Sequence, residues 1–115
     1  MPQTPRAISW IKAARKDFED VPPVAQLEGL RALAVAAEGS KADNVKPLKG
    51  FGSGVMEIGL RHRGDAFRVI YTLQIGADVW VVHAFQKKST QGIKTPRHEI
   101  DLVHDRIKRL KEMLT

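Results

Sequence analysis

A chain of 115 residues with no cysteine has room for one modest core, and it excludes disulfides, thiolate metal sites and a cysteine nucleophile together. Its 43% hydrophobic content excludes a disordered polymer, and no run approaches the ~18 apolar residues of a membrane span. Nineteen Lys and Arg against thirteen Asp and Glu leave a formal charge of +6, which favours a polyanionic partner over a neutral one.

Met1-Pro2-Gln3-Thr4-Pro5-Arg6 leads into no long apolar run, so no signal peptide or membrane association is expected and the expected location is the cytoplasm. Residues 6–11 suit a short edge strand. Ile11, Ala14 and Phe18 then recur at helical spacing, which predicts an amphipathic helix over 12–20, stopped by Pro22-Pro23. A second helix is expected from Pro22 to Ala37, with Leu27, Leu30, Ala34 and Ala37 on one face and Leu33 beside them; Gly39-Ser40 ends it. The glycine-rich stretch 39–54 reads as a loop.

The period then changes from helical to alternating. Three strands are expected, at 55–61, 66–74 and 78–87, joined by short turns at Arg63-Gly64-Asp65 and Gly76-Ala77-Asp78 and therefore antiparallel. Ile100, Val103, Ile107, Leu110 and Leu114 place a last helix over 96–114, with Thr95 as N-cap and Pro96 as first helical residue. The expected order is β-α-α-β-β-β-α, a single α+β domain over residues 1–115. Helices cover one sheet face and the other is left open.

Alternation sorts the strand residues into two sets. Met56, Ile58, Leu60, Phe67, Val69, Tyr71, Leu73, Trp80, Val82 and Ala84 form the more apolar face, expected under the first two helices. Glu57, Gly59, Arg61, Arg68, Thr72, His83, Phe85 and Lys87 fall on the other. Arg61, Arg68 and Lys87 come from three strands and converge there. Lys87-Lys88 ends an apolar strand, and Lys94 and Arg97 precede the next acid, Glu99. Such a cluster on a rigid element suits a phosphate backbone. Taken singly, each has a plainer reading: an Arg68–Glu57 ion pair, a half-buried His83, an edge lysine that blocks aggregation.

Other chemistry is poorly supported. His62, His83, His98 and His104 form no i,i+4 pair of a helical zinc site, so no metal or cofactor is expected. Gly50-Phe51-Gly52-Ser53-Gly54 lacks the lysine of a phosphate loop and precedes a strand.

Several words of the chain resemble one family when taken in order. They are Lys46-Pro47-Leu48-Lys49-Gly50-Phe51-Gly52, Gly54-Val55-Met56-Glu57-Ile58, Phe67-Arg68-Val69-Ile70-Tyr71, His83-Ala84-Phe85-Gln86-Lys87-Lys88-Ser89 and Thr95-Pro96. Together, across residues 6–112, they resemble the phage-related, HigB-like branch of the RelE/ParE type II toxin superfamily. The resemblance implies the element order above, a cognate antitoxin of helix-turn-helix type, and cleavage of mRNA on the ribosome by basic residues without metal. In that reaction a ribose 2′-hydroxyl attacks the adjacent phosphate. It implies that Arg68 and Lys87, with Lys88 beside it, hold the scissile phosphate and that Arg61 orients the RNA backbone. By their charge Arg63, Lys88, Lys94 and Arg97 are further candidates for binding RNA, and His83 and His98 are candidates for proton transfer because histidine titrates near neutrality. The chain departs from RelE in carrying Glu57 and Gly59 where RelE has two lysines. That departure keeps open a ParE-like gyrase-inhibiting toxin, and the basic face itself leaves a second alternative, a non-catalytic module that binds nucleic acid or an antitoxin.

Overall fold

The three alternating segments form a continuous antiparallel ladder. In the computed structural model, which describes residues 5–88 and 94–114, they are β3 (Val55–His62), β4 (Asp65–Thr72) and β5 (Val79–Lys87). The β3–β4 turn is as tight as a hairpin allows. His62 pairs with Asp65 across two residues, Arg63 and Gly64, whose φ angles of 49° and 85° suit the twist of the flanking strands.

Before the ladder come β1 (Ile8–Trp10), α1 (Lys12–Glu19), α2 (Pro23–Ala37) and β2 (Val45–Pro47); after it comes α3 (Arg97–Leu114). The sheet order is β1-β5-β4-β3-β2, with β1 parallel to β5 and every other pair antiparallel. This is the expected α+β architecture with one strand added. The sequence reading passes over β2 because three residues, one of them proline, show no alternation. The strand exists because Val45, Lys46 and Pro47 pair with Ile58, Glu57 and Met56. Proline is tolerated there because β2 is an edge.

Three expectations are corrected. First, the second sheet face is not open. Val103, Ile107 and Leu110 of α3 bury Val55, Ile70 and Val82 in a second core, so α1 and α2 cover one face and α3 part of the other. Second, β5 does not keep one phase. The register slips between Ile70 and Tyr71, where β5 carries an extra residue: Ile70 faces His83 while Tyr71 faces Val81. Val79, Val81 and Ala84 therefore belong to the first core, while Val82 and Trp80 pack with α3. Strict alternation had put Trp80 and Val82 with Ala84.

Third, α2 buries its small residues and Leu33, and not Leu27 or Leu30. Ala25, Gly29, Ala32, Leu33, Ala36 and Ala37 face the sheet, whereas Leu27 and Leu30 are exposed. Small side chains let the helix approach closely: a Cβ on Gly29 would stand 3.1 Å from the Phe18 ring. At the other end of the chain, Pro96 precedes the first helical residue of α3, and the Thr95 hydroxyl donates to Glu57 Oε2 in place of capping the helix.

Candidate nucleic-acid interface

The ladder register decides which basic residues meet. Arg61, Ala66 and Lys87 lie directly across from one another on β3, β4 and β5, so their side chains leave the same face. Arg68, two residues beyond Ala66, lies on that face also, opposite Gly59 on one side and Phe85 on the other. Lys46 joins them from β2 through its pairing with Glu57. Arg61, Arg68 and Lys87 are thus brought to one side of the sheet.

The absence of a side chain at Gly59 matters here. A Cβ built there would stand 3.7 Å from Arg68 Nη1, an ordinary contact, so the guanidinium lies beside the strand where a side chain extending beyond Cβ would crowd it. Arg68 Nη1 donates to its neighbour's carbonyl, Phe67 O, at 3.1 Å. Its Nε is 3.7 Å from Glu57 Oε1, and Lys46 Nζ is 3.9 Å from the same oxygen. Glu57 itself is 1% exposed, and Oε1 has no hydrogen-bond partner among the described residues. A buried carboxylate oxygen without a hydrogen bond is costly. Here it is offset by cations that stand close without donating to it.

Lys87 is the deepest of these cations, at 6% exposed. Burial holds its ammonium below the usual lysine pKa of 10.5, and the Arg68 charge pushes the same way; Glu57 opposes the shift and Lys46 adds to it. Outside the strand face, a hollow of about 660 Å³ opens beside the far half of β3, next to the segment that leads into β2, where Asn44 bonds both backbone groups of Gly59. Lys46, Glu57, Gly59, Arg61 and Arg68 line it from the sheet, and Arg31 and Glu28 from α2. Lys87 is not part of that lining. An anion in the hollow would meet Arg68 directly and feel Lys87 through the local field.

The remaining candidates separate. Arg63 sits exposed in the β3–β4 turn and Lys88 exposed just past β5. Lys94 lines a second hollow, of about 420 Å³, with Lys46, Lys49, Thr95 and Glu57, which joins it to the same basic band. Arg97 lines neither hollow and pairs with Asp101 at 3.1 Å. His98 is 80% exposed at the start of α3. Ser89, which closes one of the family-like words, lies outside the described residues.

His83 sits differently. It is 4% exposed and both ring nitrogens are engaged: Nε2 lies 2.8 Å from Glu99 Oε1, and Nδ1 accepts from Arg106 Nη1 at 2.9 Å. With Nδ1 accepting, the proton belongs on Nε2, which donates to Glu99. Arg106 Nη1 also reaches Val82 O at 3.0 Å and Asp17 Oδ2 at 3.2 Å. The histidine thus ties α1, β5 and α3 together. The Arg68–Glu57 pairing is the one that sequence reasoning offered as the plainer reading of Arg68, whereas the Asp17–Arg106–His83–Glu99 chain escapes it. Its members are far apart in the chain, and only the register and the helix docking bring them into contact.

Comparison with known families matches residues 16–108 to the phage-derived Gp49-like proteins, and the chain belongs to that family. Among solved structures, it resembles a chain of the toxin–antitoxin complex RelBE2 from Mycobacterium tuberculosis, with a TM-score of 0.50 and 18% identity. That match covers 74% of this chain and 94% of the other, and what the two share is the fold. Comparison with curated protein sequences gives no match.

Proposed function

We propose that this protein is the toxin of a toxin–antitoxin pair and acts as an endoribonuclease on translated mRNA. The observation that carries the reading is Arg68, beside Gly59 at the wall of a charged hollow in which Arg31, Lys46, Arg61 and Arg68 outnumber Glu28, Asp43 and Glu57, with Lys87 on the same sheet face. The family is phage-derived, and the fold is shared with a chain from a toxin–antitoxin complex, which supports an antitoxin as natural partner. The HigB-like branch, the helix-turn-helix antitoxin and the ribosome as the place of action belong to this proposal.

In the proposed reaction the 2′-oxygen of a ribose bonds to the adjacent phosphorus and the bond from phosphorus to the 5′-oxygen breaks. The 2′-hydroxyl gives up its proton, and the departing 5′-oxygen gains one. The products are a 2′,3′-cyclic phosphate and a 5′-hydroxyl end. Negative charge grows on the phosphate oxygens as the new bond forms. Arg68 is positioned to hold it, and a preorganised cation of this kind is worth about 3 kcal/mol of barrier. The Lys87 charge adds to the field at the same place. Lys46, Arg61, Lys94 and Lys88 would track the flanking backbone, which makes binding salt-dependent. His98, exposed at the start of α3, is kept as the candidate for proton transfer. We assign His83 the role of a positioning residue that fixes α3.

The test is the growth of cells after induction, with Arg68→Ala beside the unaltered protein. Arrest is expected with the latter and should be lost in the variant at equal soluble yield. Arrest accompanied by a DNA-damage response and intact mRNA would point to the gyrase-directed alternative and against RNA cleavage.

A further inference from the structure

Both tryptophans of the chain, Trp10 and Trp80, line one groove that the proposed reaction does not use. It holds about 560 Å³ between the start of α1 and the C-terminal half of α3. Ile11 and Leu110 complete its apolar floor, and Met113 and Leu114 stand at its end, 78% and 51% exposed. Aromatic side chains with large apolar area and a polar handle are the common anchors of protein interfaces.

Charge around the groove is one-sided. Lys12, Arg106 and Arg109 line it against a single acid, Asp105. Asp105 is already paired with Arg109 at 3.3 Å, and Arg106 is turned inward to Asp17 and His83. Lys12 has no partner among the described residues. It is also the first residue of α1, where a cation opposes the helix dipole, and that helix has neither a side-chain cap nor an acid in its first turn. A carboxylate arriving beside Lys12 would be attracted by the ammonium and by the uncapped helix start together.

We propose that this groove docks an acidic amphipathic segment of a partner protein, with apolar side chains on Trp10 and Trp80 and carboxylates against Lys12 and the arginine rim. The proposal takes from the toxin–antitoxin reading only the expectation that such a partner exists. The exposed Val24, Leu27 and Leu30 on α2 form a rival apolar surface. Its polar neighbours are one of each sign, Glu28 and Arg31, so it carries no preference for an acidic partner.

Because both tryptophans line the groove, their emission reports its occupancy without a label. The first experiment titrates the full chain with a synthetic helical peptide of Leu and Glu in amphipathic order, and with its Leu and Lys counterpart. The acidic peptide should shift tryptophan emission to the blue, and Lys12→Glu or Met113→Glu should weaken it by about tenfold. Lys12→Glu should leave thermal stability unchanged or slightly higher, since an acid suits a helix start. Equal binding of both peptides, no emission change, or a shift that depends on the chain's own concentration would overturn the proposal, the last in favour of a second copy. The second experiment co-expresses the chain with the product of the adjoining reading frame and maps amide exchange. Protection at residues 10–13 and 102–114 is expected. A complex that forms but protects α2, and is broken by Leu27→Glu instead, would overturn this docking site and leave the toxin–antitoxin reading standing. Acidic-peptide binding without any complex would do the reverse.

Discussion

Glu57 is the residue on which the chemistry of this surface turns. An acid buried among Arg68, Lys46 and Lys87 lowers the net charge of the site, yet it also holds cations together that would otherwise repel one another. Burial first, and the Arg68 charge second, hold the Lys87 ammonium below the pKa of a free lysine, with Glu57 opposing them. The linkage sign follows: the unfolded chain binds the proton more tightly, so this lysine's contribution is complete above 10.5 and is lost as pH falls through the lowered value. Tyr71 works in the opposite sense. Burial raises its phenol above 10.0, so the stability it contributes is present below that pH and is lost as pH rises through the raised value. Comparing unfolding curves of the protein and of Lys87→Met between pH 8 and pH 10.5 isolates the lysine. The difference in stability should change with pH in favour of the unaltered protein as pH rises, and a pH-independent difference would contradict the assignment. Gly59→Val is expected to leave folding intact, since this glycine has no positive φ, while displacing the Arg68 guanidinium and reducing RNA cleavage by about tenfold or more.

The elements were legible where the pattern was long and local. Strands β3, β4 and β5 lie within two residues of where alternation puts them, and all three helices are found where their periodicity predicts. Arg61, Arg68 and Lys87 on one face also followed from alternation, because the β5 bulge falls before Ala84 and leaves the last part of the strand in phase. The same bulge hid the destination of Val82 and Trp80. The buried face of α2 was misread because hydrophobicity alone favours leucine, whereas close packing on the sheet selects Ala25, Gly29, Ala32 and Ala36. Two predictions test this reading. Ala32→Leu should cost about 1–3 kcal/mol by overpacking, while Leu27→Glu should change unfolding free energy by less than about 0.5 kcal/mol. The polar tether of α3 makes a third. His83→Ala leaves Glu99 and Arg106 short of a partner and should lower stability by about 1–3 kcal/mol in denaturant unfolding. A His83 variant that keeps full stability and loses activity would return this residue to the catalytic group.

At the scale of the whole molecule, two surfaces of like sign but different character lie apart on one small fold. One is the hollow beside the far half of β3, polar and charged with bases in slight excess, walled by Arg68; the other is the apolar groove at the start of α1, rimmed by Lys12 and Arg109. The charge of +6 favours polyanions in general and does not distinguish the two. Local composition does: a hollow of charged groups suits a phosphate backbone, and tryptophans with a basic rim suit an acidic protein segment. Binding of RNA should therefore weaken steeply with added salt, and docking in the groove less so, because part of it is apolar burial. The measurement that bears most directly on RNA scission maps mRNA 5′ ends shortly after induction, in cells carrying the protein or Arg68→Ala. New 5′-hydroxyl ends inside translated frames, absent with the variant, are the predicted result. Growth arrest without new ends, or the same ends with Arg68→Ala, would contradict it.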